Sequence, residues 1–310
     1  MKTFQDISSF SSKEKTFVTI GTFDGVHFGH QKIIEKLVSE AKKAGKKSVL
    51  LTFFPHPRMV LQKDATIELI NTIEERSKLL EKTGLDYLII HPFSKDFSKT
   101  TALEFVKDIL ISTFNISKLI IGYDHHFGKN REGNIEQLTE YSHLYGFTVE
   151  EIPAQDVNEV SVSSTKIRSA LAAGNLKKAN NYLGYNFMLG GTVINGKQLG
   201  GQIGYPTANI DIKEDYKLIP KTGVYVVQSS IENKTVFGMM NIGNRPTING
   251  KHQTIEVHFF DFNQDVYGKN LTVELLYFLR EEHKFDSVDS LVLQLKEDEN
   301  TARKYLKNNL

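Results

Sequence analysis

The chain has 310 residues, 40% of them hydrophobic and 24% charged, with a formal net charge of +1 and no cysteine. That length suggests two domains of roughly 100–200 residues, each apolar enough to bury a core, and the near-zero charge argues against a general nucleic-acid binder. Lack of cysteine excludes disulfides and thiolate metal sites and suits a reducing cytoplasm, while the polar start MKTFQDISSFSSKEK and the lack of an apolar run of ~18 residues predict neither signal peptide nor membrane span.

The first half alternates two patterns. Residues 16–21 (TFVTIG) predict a short strand ending in Gly. Residues 31–44 carry Ile33, Ile34, Leu37, Val38 and Ala41 at helical spacing. Strands are then predicted at 48–54, 86–91, 118–122 and 147–152, with helices at 73–80, 102–114 and 135–145 between them. Alternation of this kind implies an α/β fold: a Rossmann-like parallel sheet with helices on both faces. Helices follow at 163–173 and 176–183. From there strands succeed one another without helices, at 187–194, 224–229, 236–241, 254–260 and 271–278, before a last helix at 288–306. That run predicts an antiparallel barrel or sandwich. The domains are placed at 1–184 and 185–310.

The sharpest local signal is GTFDGVHFGHQ, residues 21–31, between a strand and a helix. Gly25 and Gly29 allow a tight turn and close approach to a ligand. A helix N-terminus offers free N–H groups and partial positive charge to a phosphate. His27 and His30, three apart, can both address one anion and stabilise charge growing on it. Two further readings stand beside this one: an ordinary turn with structural histidines, and a metal site, for which two His supply too few ligands. TFFPHP (52–57) places Pro55, His56 and Pro57 beyond a strand's carboxyl end, where open sheets bind substrates; a rigid turn is the alternative. GYDHHFGKNREG (122–133) is read either as a mobile nucleotide-binding loop or as plain surface loop. In VSSTKIRSAL (162–171), Ser163, Ser164 and Thr165 begin a helix, with Lys166 and Arg168 in its first turn. Hydroxyls there cap the helix, and cations at an N-terminus make better sense beside an anion.

In the second domain, GGQIGYPTANI (200–210) combines pliable Gly200, Gly201 and Gly204 with Pro206, Thr207 and Asn209. The last two offer hard oxygens suited to Mg2+ beside nucleotide phosphates. In TIEVHF (254–259), Ile255, Val257 and Phe259 share one face, leaving Glu256 and His258 on the other. Glu256 could accept a proton from a hydroxyl nucleophile; an exposed strand residue is the bland alternative.

Taken in order, GTFDGVHFGH, TFFPHP and VSSTKIR resemble the adenylyltransferase module of the prokaryotic bifunctional riboflavin kinase/FAD synthetase family. GQIGYPTANI, GVYVV, NIGNRPT, TIEVHFFDF and YGKNLTVELLYFLREEHKF resemble its riboflavin kinase module. The resemblance implies two ATP- and Mg2+-dependent reactions, riboflavin to FMN and FMN to FAD with release of pyrophosphate. It implies phosphate contacts from His27 and His30, and ATP contacts from Gly21, Phe23, Asp24, Gly29, Asp124, Ser163, Ser164, Thr165 and Arg168. It further implies flavin contacts from Pro55, His56 and Pro57, Mg-ATP binding by Gly200, Gly204, Pro206, Thr207 and Asn209, and Glu256 as kinase base. Partners are then riboflavin, FMN and ATP, with no nucleic acid or membrane, in a monomer or weak homo-oligomer. Two departures are visible: residues 124–128 read DHHFG where the family has a DFRFG-like run, and Gly201 stands where it usually has a basic residue. The second supports an alternative, FAD synthesis alone with a kinase-like barrel that is weak or only binds flavin. A flavin-responsive regulator without turnover, and a nucleotidyltransferase with another acceptor, are further alternatives.

Overall fold

A computed structural model describes residues 1–62, 67–122, 127–129, 132–152, 162–196, 199–247 and 250–309. They fall into two compact units, Met1–Ser164 and Thr165–Leu310.

The first unit runs β1 (Lys2–Phe4), β2 (Thr16–Ile20), α1 (Phe28–Lys43), β3 (Lys47–Phe53), α2 (Pro57–Leu61), α3 (Ile73–Glu81), β4 (Tyr87–His91), α4 (Ala102–Glu104, continuing as a π-helix over Phe105–Thr113), β5 (Ile116–Gly122), α5 (Ile135–Tyr145) and β6 (Thr148–Ile152). Its strands form one parallel sheet in the order β1-β4-β3-β2-β5-β6. Strand alternation explains the layers. Val49 and Leu51 point to one core with Phe105 and Leu110 of α4 and Leu138 of α5. Leu50, between them, points to the other, with Ile34 and Leu37 of α1 and Leu80 of α3. The order reverses between β2 and β5, the kind of point beyond which open α/β sheets bind ligands at their strands' carboxyl ends.

β1, which no predicted strand covers, and two helical details depart from the sequence expectation. The helix over 102–114 winds mostly as π, and Ser112 Oγ and Thr113 Oγ1 each donate 2.8 Å bonds to the carbonyls five residues back, Lys107 O and Asp108 O. PHP is more than a turn: His56 caps α2 and Pro57 is its first residue, where a missing N–H costs nothing.

The second unit runs α6 (Ser164–Ala172, whose first residue closes the first unit), α7 (Leu176–Leu183), β7 (Met188–Ile194), α8 (Leu199–Gln202), β8 (Ala208–Asp211), β9 (Gly223–Ile231), β10 (Lys234–Thr247), β11 (Gly250–Phe259), β12 (Asn270–Arg280) and α9 (Val288–Asn309). Six antiparallel strands close into a barrel in the order β10-β11-β8-β7-β12-β9. The change of sequence pattern near 184 and the change of compact unit at 164 are thus different places. α7 is tied to the barrel through Asn180, which donates to Leu275 O at 3.0 Å and accepts from Phe187 N at 2.9 Å.

α9 is fastened by two Arg–carboxylate forks. Arg280 meets Asp298 at 2.8 and 2.7 Å, with the carboxylate side chain 5% exposed. Arg303 meets Asp261 at 2.8 and 3.0 Å, with that carboxylate 79% exposed. Removing one partner of a buried pair strands the other charge, whereas exposed pairs contribute little. Asp298→Ala should therefore destabilise the barrel by about 3 kcal/mol, and Asp261→Ala should leave the urea midpoint nearly unchanged. Denaturation followed by circular dichroism reads both.

Candidate active sites

The turn between β2 and α1 is held from below. Asp24 is buried, and its Oδ1 accepts from Ile70 N at 3.0 Å and Asn71 N at 3.3 Å. Arg76 of α3, also buried, brings Nη2 to 3.6 Å from Asp24 Oδ1 and donates from Nη1 to Thr22 O at 2.8 Å. Thr52 Oγ1, on β3, donates to the same carbonyl at 3.1 Å. Above, Ser164 Oγ, from the last residue of the first unit, donates to Asp24 O at 2.9 Å and so meets the GTFDG turn. With its ends pinned, the turn uses left-handed backbone at Phe23 (φ 47°), Gly25 (φ 88°) and Val26 (φ 36°). Gly25 is doubly required, since a Cβ there would lie 2.9 Å from Ile70 Cδ1.

This turn delivers His27 to the N-cap of α1, where its Nδ1 accepts from His30 N at 3.4 Å. An imidazole that accepts at Nδ1 carries its proton on Nε2, which fixes the tautomer of His27. The His27 and His30 rings stack at 3.6 Å between centroids, 15° from parallel, with Phe23 against His30 at 5.0 Å. Gly29 is buried within the same turn. His30 Nδ1 is buried and meets no hydrogen-bond partner among the described residues. An orphaned buried nitrogen is uncommon and calls for an explanation. Burial first, then repulsion from His27 and Arg76, hold His30 well below the ordinary imidazole value of 6.5.

The other residues read from the sequence are placed as follows. Gly21 sits against Phe23, whose ring would be 3.0 Å from a Cβ there. Asp24, Phe23 and Ser164 are engaged in building the turn. Ser163 precedes α6, while Thr165 and Arg168 lie in its first turns, in the second unit. Pro55, His56 and Pro57 follow the carboxyl end of β3, and His56 Nδ1 accepts from Arg58 N at 3.1 Å. Asp124, with His125 and His126, lies outside the described residues. The described end of that loop is anchored: Phe127 and Gly133 pair at 3.2 and 2.9 Å, and Ala102 N donates to Glu132 Oε1 at 3.2 Å. Arg76 went unremarked in the sequence, although it stands three residues after Ile73 and four before Leu80, on the apolar stripe of α3. A charge there is a signal for a buried partner.

The barrel gathers a second group. β8, where the sequence analysis predicts no element, is a strand, and it sets Asn209 directly opposite Glu256 of β11. Glu256 is in turn opposite Asn241 of β10, so Asn209, Glu256 and Asn241 form one row on one face. Ile255, Val257 and Phe259 are buried, which leaves Glu256 and His258 on the other side. Gly200 belongs to a single helical turn, α8, where a Cβ would meet Tyr205 O at 2.2 Å; Gly204 has φ 85°, and a Cβ at Gly201 would meet nothing within 4 Å. Pro206 O lies 2.8 Å from His258 Nδ1. Tyr205 Oη donates to Glu299 of α9 at 3.3 Å. Thr207 thus stands between a pinned turn and the Asn209–Glu256 row. Hydroxyl, amide and carboxylate oxygens gathered this way suit a hard cation carried with a nucleotide, though among the described residues no cluster of three His, Cys, Asp or Glu could hold a metal unaided.

The depressed His30 value has a stability consequence. Unfolded His30 takes up a proton as pH falls through 6.5, and the folded residue does not. The unfolded state then binds more protons, so its contribution is fully present above 6.5 and is lost progressively below it. His30→Gln should remove this loss, giving a thermal midpoint that falls less than wild type between neutral and mildly acidic pH, as calorimetry would measure.

Comparison with known proteins agrees with both halves. A family model for FAD synthetase matches residues 9–166, and one for riboflavin kinase matches residues 183–306. The chain is 35% identical to the bifunctional riboflavin kinase/FMN adenylyltransferase of Escherichia coli (strain K12), covering 98% of each. It is 38% identical to that of Haemophilus influenzae (strain ATCC 51907 / DSM 11121 / KW20 / Rd), covering 93% of each. A crystal structure described as a macrolide-efflux protein from Streptococcus pneumoniae superposes with a TM-score of 0.88 at 34% identity, covering 97% of this chain and 98% of that one. Among the described residues no helix is long and apolar enough to cross a membrane. The parallel sheet with its histidine turn and the six-stranded barrel with its Asn–Glu row are therefore the two modules of one enzyme, and the chain belongs to the bifunctional riboflavin kinase/FMN adenylyltransferase family.

Proposed function

We propose that the Gly21–His30 turn is the phosphate grip of the FAD-synthetase module. An oxygen of the FMN phosphate attacks the α-phosphorus of ATP; the new P–O–P bond forms as the bond to the bridging oxygen breaks, and its electron pair leaves with pyrophosphate. His27 and His30 donate hydrogen bonds to phosphate oxygens on which charge grows. The stacked pair at the N-terminus of α1 carries this reading, because two donors and a helix end converge on one place. Held neutral, His30 contributes a directed hydrogen bond rather than a net charge. Asp24 and Ser164 shape the turn, while Thr165, Arg168 and Ser163 hold the triphosphate and Pro55, His56 and Pro57 line the flavin end. These last roles rest on the motif resemblance.

In the barrel, Glu256 takes the proton of the riboflavin 5′-hydroxyl as that oxygen attacks the γ-phosphorus of ATP and ADP leaves. Asn209, opposite Glu256 in register, supports this reading. Thr207 and Asn209 would hold Mg2+ with the nucleotide, and the ion would neutralise phosphate charge. The reading of a weak kinase keeps one observation: the open space at Gly201 could hold a cationic side chain and holds none. ATP as substrate of both steps accords with a cytoplasmic enzyme.

Supplying riboflavin and FMN separately, with chromatographic product analysis, tests both sites. His30→Ala should slow FAD formation by roughly 10²–10³-fold and leave FMN formation intact. Glu256→Gln should slow FMN formation by roughly 10²–10⁴-fold and leave conversion of supplied FMN intact. Equal loss of both activities in either variant would contradict two separate sites.

A further inference from the structure

Beneath the histidine turn lies a charged residue that no motif of the sequence reading included. Arg76 is 1% exposed, donates to Thr22 O at 2.8 Å and faces Asp24 Oδ1 at 3.6 Å. A guanidinium placed there costs desolvation that the core would avoid with an aliphatic residue. We infer that Arg76 is a positioning residue for adenylyl transfer: it sets the Thr22–Val26 backbone that presents His27 and His30, and it keeps a fixed positive charge at the foot of the stacked pair. The inference rests on the proposed role of the histidines and adds to it.

Three observations carry it. Thr22 O takes donors from both Arg76 and Thr52, so the peptide entering the left-handed stretch is fixed from α3 and β3 together. Asp24 receives Ile70 N and Asn71 N on the carboxylate that faces Arg76, so the pair joins the turn to the segment leading into α3. α3 is itself capped rigidly, with Thr72 Oγ1 accepting from Glu75 N at 3.1 Å and Glu75 Oε2 from Thr72 N at 2.9 Å. The groups acting on His30 are His27 in its own turn and Arg76 from α3; Asp24 faces Arg76 at 3.6 Å, and Glu75 is engaged in the cap. Burial and the Arg76 charge both favour a neutral His30. A structural spacer would hold the turn without this electrostatic effect, which gives the two roles different signatures.

The test uses the full chain with Arg76→Lys, Arg76→Gln and the charge-free pair Asp24→Asn/Arg76→Gln. Conversion of FMN to FAD, conversion of riboflavin to FMN, and the His30 titration by NMR are measured on each. Arg76→Gln should lower kcat for FAD formation by roughly 10–100-fold, leave FMN formation unchanged and move the His30 titration upward toward the ordinary value. Arg76→Lys, which keeps a cation, should hold the titration low and recover part of kcat. If Arg76→Gln does not fold, the paired variant takes its place, with the same loss of kcat and the same upward titration expected. Wild-type kcat in the folded variants, or reduced kcat with an unmoved His30 titration, overturns the inference. If His30→Ala keeps full FAD synthesis, the proposed function itself fails; if only the Arg76 variants behave as wild type, this inference alone fails.

Discussion

A buried carboxylate under the turn from β2 to α1 is the constraint on which the N-terminal site depends. Asp24 ties that turn to the Ile70–Asn71 segment and to Arg76, and its own carbonyl receives Ser164 from far along the chain. With the turn fixed at Thr22 and Asp24, left-handed backbone at Phe23 and Val26 becomes affordable, although neither residue prefers it. The product of that strain is a helix that begins with an imidazole cap and a second imidazole stacked on it. Preorganised donors of this kind need no rearrangement when charge develops.

The two modules solve one chemical problem, positioning triphosphate near a nucleophile, in different ways. In the proposed sites the parallel sheet relies on its reversal point and a helix dipole. The barrel has no reversal point, and it uses strand register instead, setting Asn209, Glu256 and Asn241 side by side on one row. Its Tyr205–Pro206 turn is stiffened from two directions, by His258 at Pro206 and by Glu299 of α9 at Tyr205. The second contact gives α9 a reason to be clamped by Arg280 and Arg303 beyond covering the core.

Much of this was legible in sequence because local pattern and tertiary role agree. Ile33, Ile34 and Leu37 announce a helix face and are buried on it. Ile255, Val257 and Phe259 announce a strand and are buried beside an open Glu256. The histidine turn was visible because strand, glycines, imidazoles and helix occur in the only order in which they cooperate. What was missed depends on contacts distant in sequence. β1 is three residues long and exists through pairing with β4. The π winding of α4 has the same apolar spacing that an α-helix would show, with Phe105, Val106, Ile109 and Leu110 buried. β8 was hidden by its own ligand-like residues, since Thr207 and Asn209 drew attention as donors while the Ala208–Ile210 alternation marked a strand. Asp24, expected among the ATP contacts, also holds Ile70 N, Asn71 N and Arg76 beneath the turn, partners that sequence spacing does not reveal.

Nucleotide binding to the intact chain bears most directly on the central claim, and a crystal structure with a non-hydrolysable ATP analogue would provide it. The account predicts a triphosphate within hydrogen-bond distance of both His27 and His30, and a second nucleotide beside Thr207 and Asn209. A triphosphate bound to the first unit at a place that neither imidazole reaches would contradict it.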